Sequence, residues 1–104
     1  MKPTNVKALR TVPFEKGFHF YTSLGHYTGI TATSLSEFAG KLQIIPSESV
    51  IFHFQRKDFQ KWMRYTITDA SLAEKMGKTK PAQSAEDLRK EILGIVKAHM
   101  TRFF

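Results

Sequence analysis

From Ser34 onward the chain carries helix-start signals at short intervals, each followed by apolar residues at helical spacing. That pattern confines the stretch to short amphipathic helices that must bury one face against each other. Ser34-Leu-Ser-Glu37 has the form of a capping box, in which the Ser hydroxyl and the Glu carboxylate satisfy amides left free by a first turn. Leu35, Phe38, Ala39 and Leu42 then share one face, and Pro46 sets the limit of that helix. Ser47 and Glu48 supply a cap and a first-turn acid for the next segment. Its Val50-Ile-Phe-His-Phe54 run has strand-favouring side chains, but its flanks favour helix, and the helix is preferred. Asp58 caps a third helix with Phe59, Trp62, Met63 and Ile67 on one face. Asp69 or Ser71 begins a fourth that holds Leu72, Ala73 and Met76, with Gly77 as its C-cap. A basic linker, residues 78–83, contains Pro81. Ser84-Ala-Glu-Asp87 caps the last and clearest helix, whose stripe is Leu88, Ile92, Ile95, Val96, His99, Met100 and Phe103. Arg89, Lys90, Lys97 and Arg102 are expected elsewhere on its surface, and Glu86 precedes Lys90 by one favourable helical spacing.

The N-terminal third differs. Residues 1–16 read as a basic arm, with Lys2, Lys7, Arg10 and Lys16 against Glu15, and with Pro3 and Pro13 breaking any helix. Val12 and Phe14 are expected to dock it. Residues 17–104 form a single domain. In it Phe18, Phe20 and Thr22 alternate with His19, Tyr21 and Ser23, which is strand periodicity. Leu24-Gly25-His26 reads as a turn into a second strand interrupted by Gly29, giving a short hairpin; a short helix around residues 22–28 is the competing reading. The expected fold is mainly α: a compact orthogonal bundle of four to five helices with a short N-terminal β-hairpin.

A chain of 104 residues with 41% apolar content supports one core without covalent help. With no cysteine, disulfides, iron–sulfur clusters and thiolate zinc sites are excluded. No apolar run approaches the roughly 20 residues of a membrane helix, and none follows the N-terminal lysines as a secretory leader would. The expectation is therefore a cytoplasmic protein with no membrane association. One Asn, no Cys and many Lys, Arg and Glu lean towards a thermophile.

Tests for catalytic chemistry come back weak. His19, His26, His53 and His99 show no HxxxH or HxH pair, so no metal site is expected. His53 reads as a half-buried residue with one hydrogen bond, and His99 as a residue favoured by the helix C-terminus beside it. Gly77-Lys78-Thr79 imitates the end of a phosphate loop, but position 72 is Leu where that loop needs Gly, and a helix precedes it. Ser34, Ser47 and Ser84 are accounted for by capping, no nucleophile elbow exists, and Glu86-Asp87 suit a helix first turn. Neither an enzyme nor a cofactor is expected.

What remains is charge. The net charge of +7 favours polyanions, and it is concentrated in the arm, in residues 56–64 and around residues 75–80. On a helix, Lys57, Lys61 and Arg64 form a positive ridge, with Arg56 before it and Tyr65 at its edge, suited to phosphates. Lys75, Lys78 and Lys80 form a second cluster. These residues predict a basic binding module for nucleic acid or a ribonucleoprotein. The alternative is a protein-interaction adaptor or self-associating domain that uses the abundant aromatics and the C-terminal helix, through Met100, Phe103 and Phe104.

Seven stretches also carry a family resemblance: Phe18-His-Phe20, Gly29-Ile-Thr-Ala32, Ser34-Leu35-Ser-Glu37-Phe38, Ser49-Val-Ile-Phe-His53, Asp58-Phe59-Gln-Lys-Trp62, Asp69-Ala-Ser-Leu72-Ala73 and Asp87-Leu88-Arg89. Over roughly residues 17–98 the chain resembles the DUF5752 family of archaea and bacteria, which has no settled activity. Other members often hold a longer insertion before the Asp-Phe-x-x-Trp segment; here Phe54-Gln-Arg-Lys57 joins the two directly. The resemblance implies a helical domain and adds no mechanism. His53, Asp58 and Trp62 match its motif, and they imply a polar cluster with His53 bonded to Asp58.

Overall fold

Five helices and one β-hairpin make up the structure of the protein, a computed structural model that describes residues 9–103 and side chains through residue 102. Lys2, Lys7, Phe104 and the Phe103 side chain lie outside the described residues. In chain order the elements are β1 (Phe18–Ser23), β2 (His26–Ala32), α1 (Leu35–Leu42), α2 (Ser47–Arg56), α3 (Asp58–Tyr65), α4 (Ala70–Gly77) and α5 (Ala85–Met100). Short 3-10 turns sit at Phe14–Lys16 and Thr101–Phe103. The mainly helical fold with an N-terminal hairpin is therefore the one the sequence predicts.

The strand reading of residues 18–32 wins over the helical one because alternation decides which side chains are buried. Phe18 and Phe20 point into the core, while His19 and Tyr21 are only half-buried. The strands pair antiparallel, with Phe18 opposite Ala32 and Ser23 opposite His26. The register slips midway, where Thr28-Gly29-Ile30 bulges. Gly29 takes φ +85° there, a backbone state that costs glycine little, and the Thr28 hydroxyl donates to the Phe20 carbonyl at 2.7 Å.

Phe18 is the centre of the core. Its ring lies 4.8 Å from Phe20, 5.6 Å from Phe38, 5.2 Å from Phe59 and 5.7 Å from Trp62, centroid to centroid. Such spacings are those of favourable stacked, tilted and edge-on aromatic pairs. The hairpin packs on α1 and on α2, where the His53 ring lies 4.7 Å from Phe18; α3 packs on α4, and α5 touches α1, α2 and α4. All four predicted core positions of α1, and Phe59, Trp62, Met63 and Ile67, are buried.

Capping follows the sequence at three helices and departs from it at two. The Ser34, Asp69 and Ser84 side chains accept from the amides of Glu37, Leu72 and Asp87. Ser47, expected as a cap, is the first residue of α2, and no side chain caps that helix; its hydroxyl donates instead to Glu86 at 2.7 Å. Asp58 likewise is the first residue of α3, not its cap, and its carboxylate is drawn to His53 and Arg56. Gly77 ends α4, and Lys78 takes the C-cap position.

Two arginines expected on the surface or in the arm hold the fold instead. Arg89 is only 12% exposed at its side chain. It donates to the carbonyls of Leu42 and Ile45 at 2.6 and 2.8 Å and pairs with Glu86, so it caps the end of α1 from α5. Arg10 donates to the Thr66 carbonyl at 2.7 Å, behind the end of α3. The described part of the arm is thus packed on the domain. Val12 is buried and its amide donates to the Thr33 carbonyl at 2.8 Å. Phe14, expected to dock, is 62% exposed, and among the described residues its ring meets that of half-buried His19.

Candidate functional site

Two surfaces carry the residues that the sequence singles out. The first is the solvent face of α3. Phe59, Trp62 and Met63 define its buried side. Lys57, Lys61 and Arg64 recur at one-turn and two-turn spacing on the opposite side, and all three are exposed. Lys57 sits at the α2–α3 junction with φ +63°, in the left-handed region, so the two helices meet at a sharp corner with a lysine at its tip. Tyr65, 76% exposed, closes the row one turn beyond Lys61. Arg56 is half engaged: its guanidinium lies 5.0 Å above the Phe52 ring and its Nε donates to Asp58 at 3.0 Å.

The second basic cluster adjoins the first. Gly77 lies against Gln60 closely enough that an added Cβ would be 3.2 Å from the Gln60 amide nitrogen. Gln60 stands on α3 one turn from Lys57 and one turn from Arg64. This packing brings the end of α4, and Lys78 after it, beside the ridge. Lys75, Lys78 and Lys80 line a shallow cavity of about 360 Å³ together with Thr79, Pro81, Glu91 and Ile95. Lys75 also reaches His99, Nζ to Nδ1, at 3.1 Å.

Between α2, α3 and the hairpin turn lies a larger cleft of about 510 Å³, lined by Phe18, Tyr21, Leu24, Phe52, Arg56, Asp58 and Trp62 among others. His53 forms its floor. The Tyr21 amide donates to His53 Nε2 at 2.8 Å, so that nitrogen carries no proton. Nδ1 must then hold it, and donates to Asp58 Oδ2 at 2.8 Å. His53 is therefore more buried and better bonded than its sequence context suggests: 4% exposed, with two hydrogen bonds where one was expected. Burial, as the largest cause, pushes its pKa down, and the Asp58 hydrogen bond and charge oppose this in part. With both nitrogens occupied, the imidazole has no lone pair to offer a substrate or a metal. Trp62 turns its indole N–H away to the Lys16 carbonyl, 2.9 Å, and contributes its ring to the cleft.

A second His–Asp pair, fully inside the fold, joins α5 to the start of α4. His99 Nε2 and Asp69 Oδ2 are 2.7 Å apart, and both residues are almost fully buried. The Lys75 ammonium can only donate, so Nδ1 accepts from it and Nε2 donates to Asp69. The sequence reading of His99 as a residue for the helix dipole is replaced by this role: it ties α5 to the cap of α4. Nothing in the local sequence connects His99 to Asp69, thirty residues away.

Among the described residues, no group of three or more His, Asp or Glu could hold a metal ion, and no helix is long and apolar enough to cross a membrane. Met100 is half-buried against the protein's own core. Compared with known proteins, the chain matches no family model, no curated protein and no solved structure at a significant level.

Proposed function

We propose that the protein is a non-enzymatic module that binds single-stranded nucleic acid, free or within a ribonucleoprotein. The observation that carries this reading is the exposed Lys57, Lys61 and Arg64 ridge, set opposite the buried face of α3 with Lys78 brought alongside. Cations in a row meet phosphates spaced along a backbone, and each contact releases counterions.

Exposed aromatic residues favour a single strand over a duplex. Tyr65 is exposed on the ridge itself. On the outer face of the hairpin the rings of Phe14 and His19 lie 5.1 Å apart, His19 and Tyr27 6.0 Å, and Tyr21 and Tyr27 5.5 Å. Exposed aromatic rings together with a basic row are the features on which unpaired bases stack. Membership of the DUF5752 family is part of the same proposal: Phe18, His53, Asp58 and Trp62, four of the residues that carry the resemblance, converge on the cleft next to this surface.

Fluorescence polarisation with a short labelled strand tests the reading. The wild-type protein should bind the strand at low salt, and more tightly than the matching duplex. The triple variant Lys57→Gln, Lys61→Gln, Arg64→Gln should bind at least about tenfold more weakly, since three phosphate contacts are lost. Equal affinity of the two proteins would remove the ridge from the account. A protein partner would show instead as tight association without nucleic acid, through the aromatic strip.

A further inference from the structure

The cleft under the hairpin turn has features that the ridge alone does not explain. Its volume, about 510 Å³, is that of a small-ligand site. Its walls are aromatic, from Phe18, Phe52 and Trp62; beside the rings of His19, Tyr21 and His53, the charged groups that line it are the guanidinium of Arg56 and the carboxylate of Asp58. Asp58 is half-buried, and its Oδ2 already serves His53 and Arg56. Its Oδ1 accepts no hydrogen bond among the described residues and keeps both lone pairs for an occupant. An occupant must therefore be flat, offer an N–H to a carboxylate oxygen, and offer an acceptor to a guanidinium.

The charge around the cleft narrows the choice. Inside, Asp58 and Arg56 cancel, and His53 is neutral, so a simple cation gains nothing by displacing Arg56 from Phe52. Outside, Lys61 directly precedes Trp62 on α3 and so stands about 100° round from the cleft wall, while Lys57 sits at the helix corner next to Asp58. Negative charge is favoured at the rim and not in the interior. A planar ring with a donor–acceptor edge, attached to a phosphate that stays outside, meets every condition. We infer that the cleft receives one unpaired nucleobase, its edge read by Asp58 Oδ1 and Arg56 and its face packed on Phe52 and Trp62, while the flanking phosphates lie on Lys57 and Lys61. This rests on the proposed single-strand binding and names the position at which a base is taken in.

Trp62 is the chain's one tryptophan, so its emission reports on a single position, at the wall of the cleft. The test compares a short single strand with an abasic strand of equal length, following polarisation for binding and Trp62 emission for insertion. The intact strand should quench Trp62 to saturation, and the abasic strand should bind without quenching. Phe52→Ala should weaken the intact strand about tenfold, the loss of one stacked base, and leave the abasic strand unchanged. Asp58→Asn keeps an acceptor for His53 but puts an amide donor beside it, and should discriminate against the intact strand in the same way; it serves if Phe52→Ala does not fold. If both strands bind equally and Trp62 emission is unmoved, the cleft inference is overturned while the ridge reading stands. If neither strand binds at low salt, the ridge reading fails, and nucleoside monophosphates decide the cleft. Saturable quenching by them in the wild type but not in Phe52→Ala upholds it, and no quenching overturns it.

Discussion

His53 can stay in place only while it is neutral. Protonating Nε2 would set an N–H against the Tyr21 N–H, 2.8 Å away, inside the aromatic core. The unfolded chain takes up this proton near the ordinary histidine value of 6.5, whereas burial holds the folded value lower. The stabilisation is thus fully present above pH 6.5 and is lost as pH falls from there through the folded value. Glu37, held below the usual carboxylate value first by the Thr33 amide and then by its hydroxyl, adds a second loss in a more acidic window, beginning near 4.5. Urea midpoints at pH 7.5 and 5 should therefore separate wild type from His53→Gln, whose side chain offers an acceptor that does not titrate. The wild-type midpoint should fall further, and parallel behaviour would show that His53 is not the group responsible. At this scale the sequence was least legible. The Asp58 and Ser47 side chains look like caps because they stand where caps stand. Ser47 is claimed instead by Glu86 from α5, whereas the bond between His53 and Asp58 is the one that the family resemblance implies, with Arg56 added to it. Arg89 looked like surface charge because its partners, the carbonyls of Leu42 and Ile45, are backbone atoms that no pattern of side chains reveals.

Helices were the legible elements, since a stripe at helical spacing names its own buried face. Ser34, Asp69 and Ser84 act where the sequence places them, because their hydrogen bonds close within three residues and need no tertiary help. The hairpin was harder to read. Its two strands are short, and the Gly29 bulge breaks the alternation that would have distinguished β2. The local nature of capping gives a direct comparison. Ser84→Ala should cost about 1 kcal/mol by urea denaturation, the usual worth of an N-cap hydroxyl. Ser47→Ala removes no cap; it removes one exposed hydroxyl donor to Glu86 and should cost well under that, about 0.5 kcal/mol or less. Equal losses would mean that α2 is capped by Ser47 after all.

At the scale of the molecule, basicity is a matter of placement more than of total. Arg10 and Arg89 are bound to backbone carbonyls and serve the fold. Arg56 is shared between Phe52 and Asp58. Lys57, Lys61 and Arg64 are left exposed together on one side of α3, with the end of α4 packed beside them through Gln60 and Gly77. The sequence located these clusters but could not say whether they adjoin, because adjacency depends on how α3 packs on α4. Charge that serves binding has a thermodynamic signature which charge that serves folding lacks. Each phosphate contact to a single strand contributes about −0.7 to the slope of log affinity against log salt concentration. The most direct measurement is that slope for the wild type and for the Lys57, Lys61, Arg64 triple glutamine variant. The account predicts a slope shallower by about 2 in the variant, the share of three phosphate contacts. An unchanged slope would contradict it and move the contacts to another part of the surface.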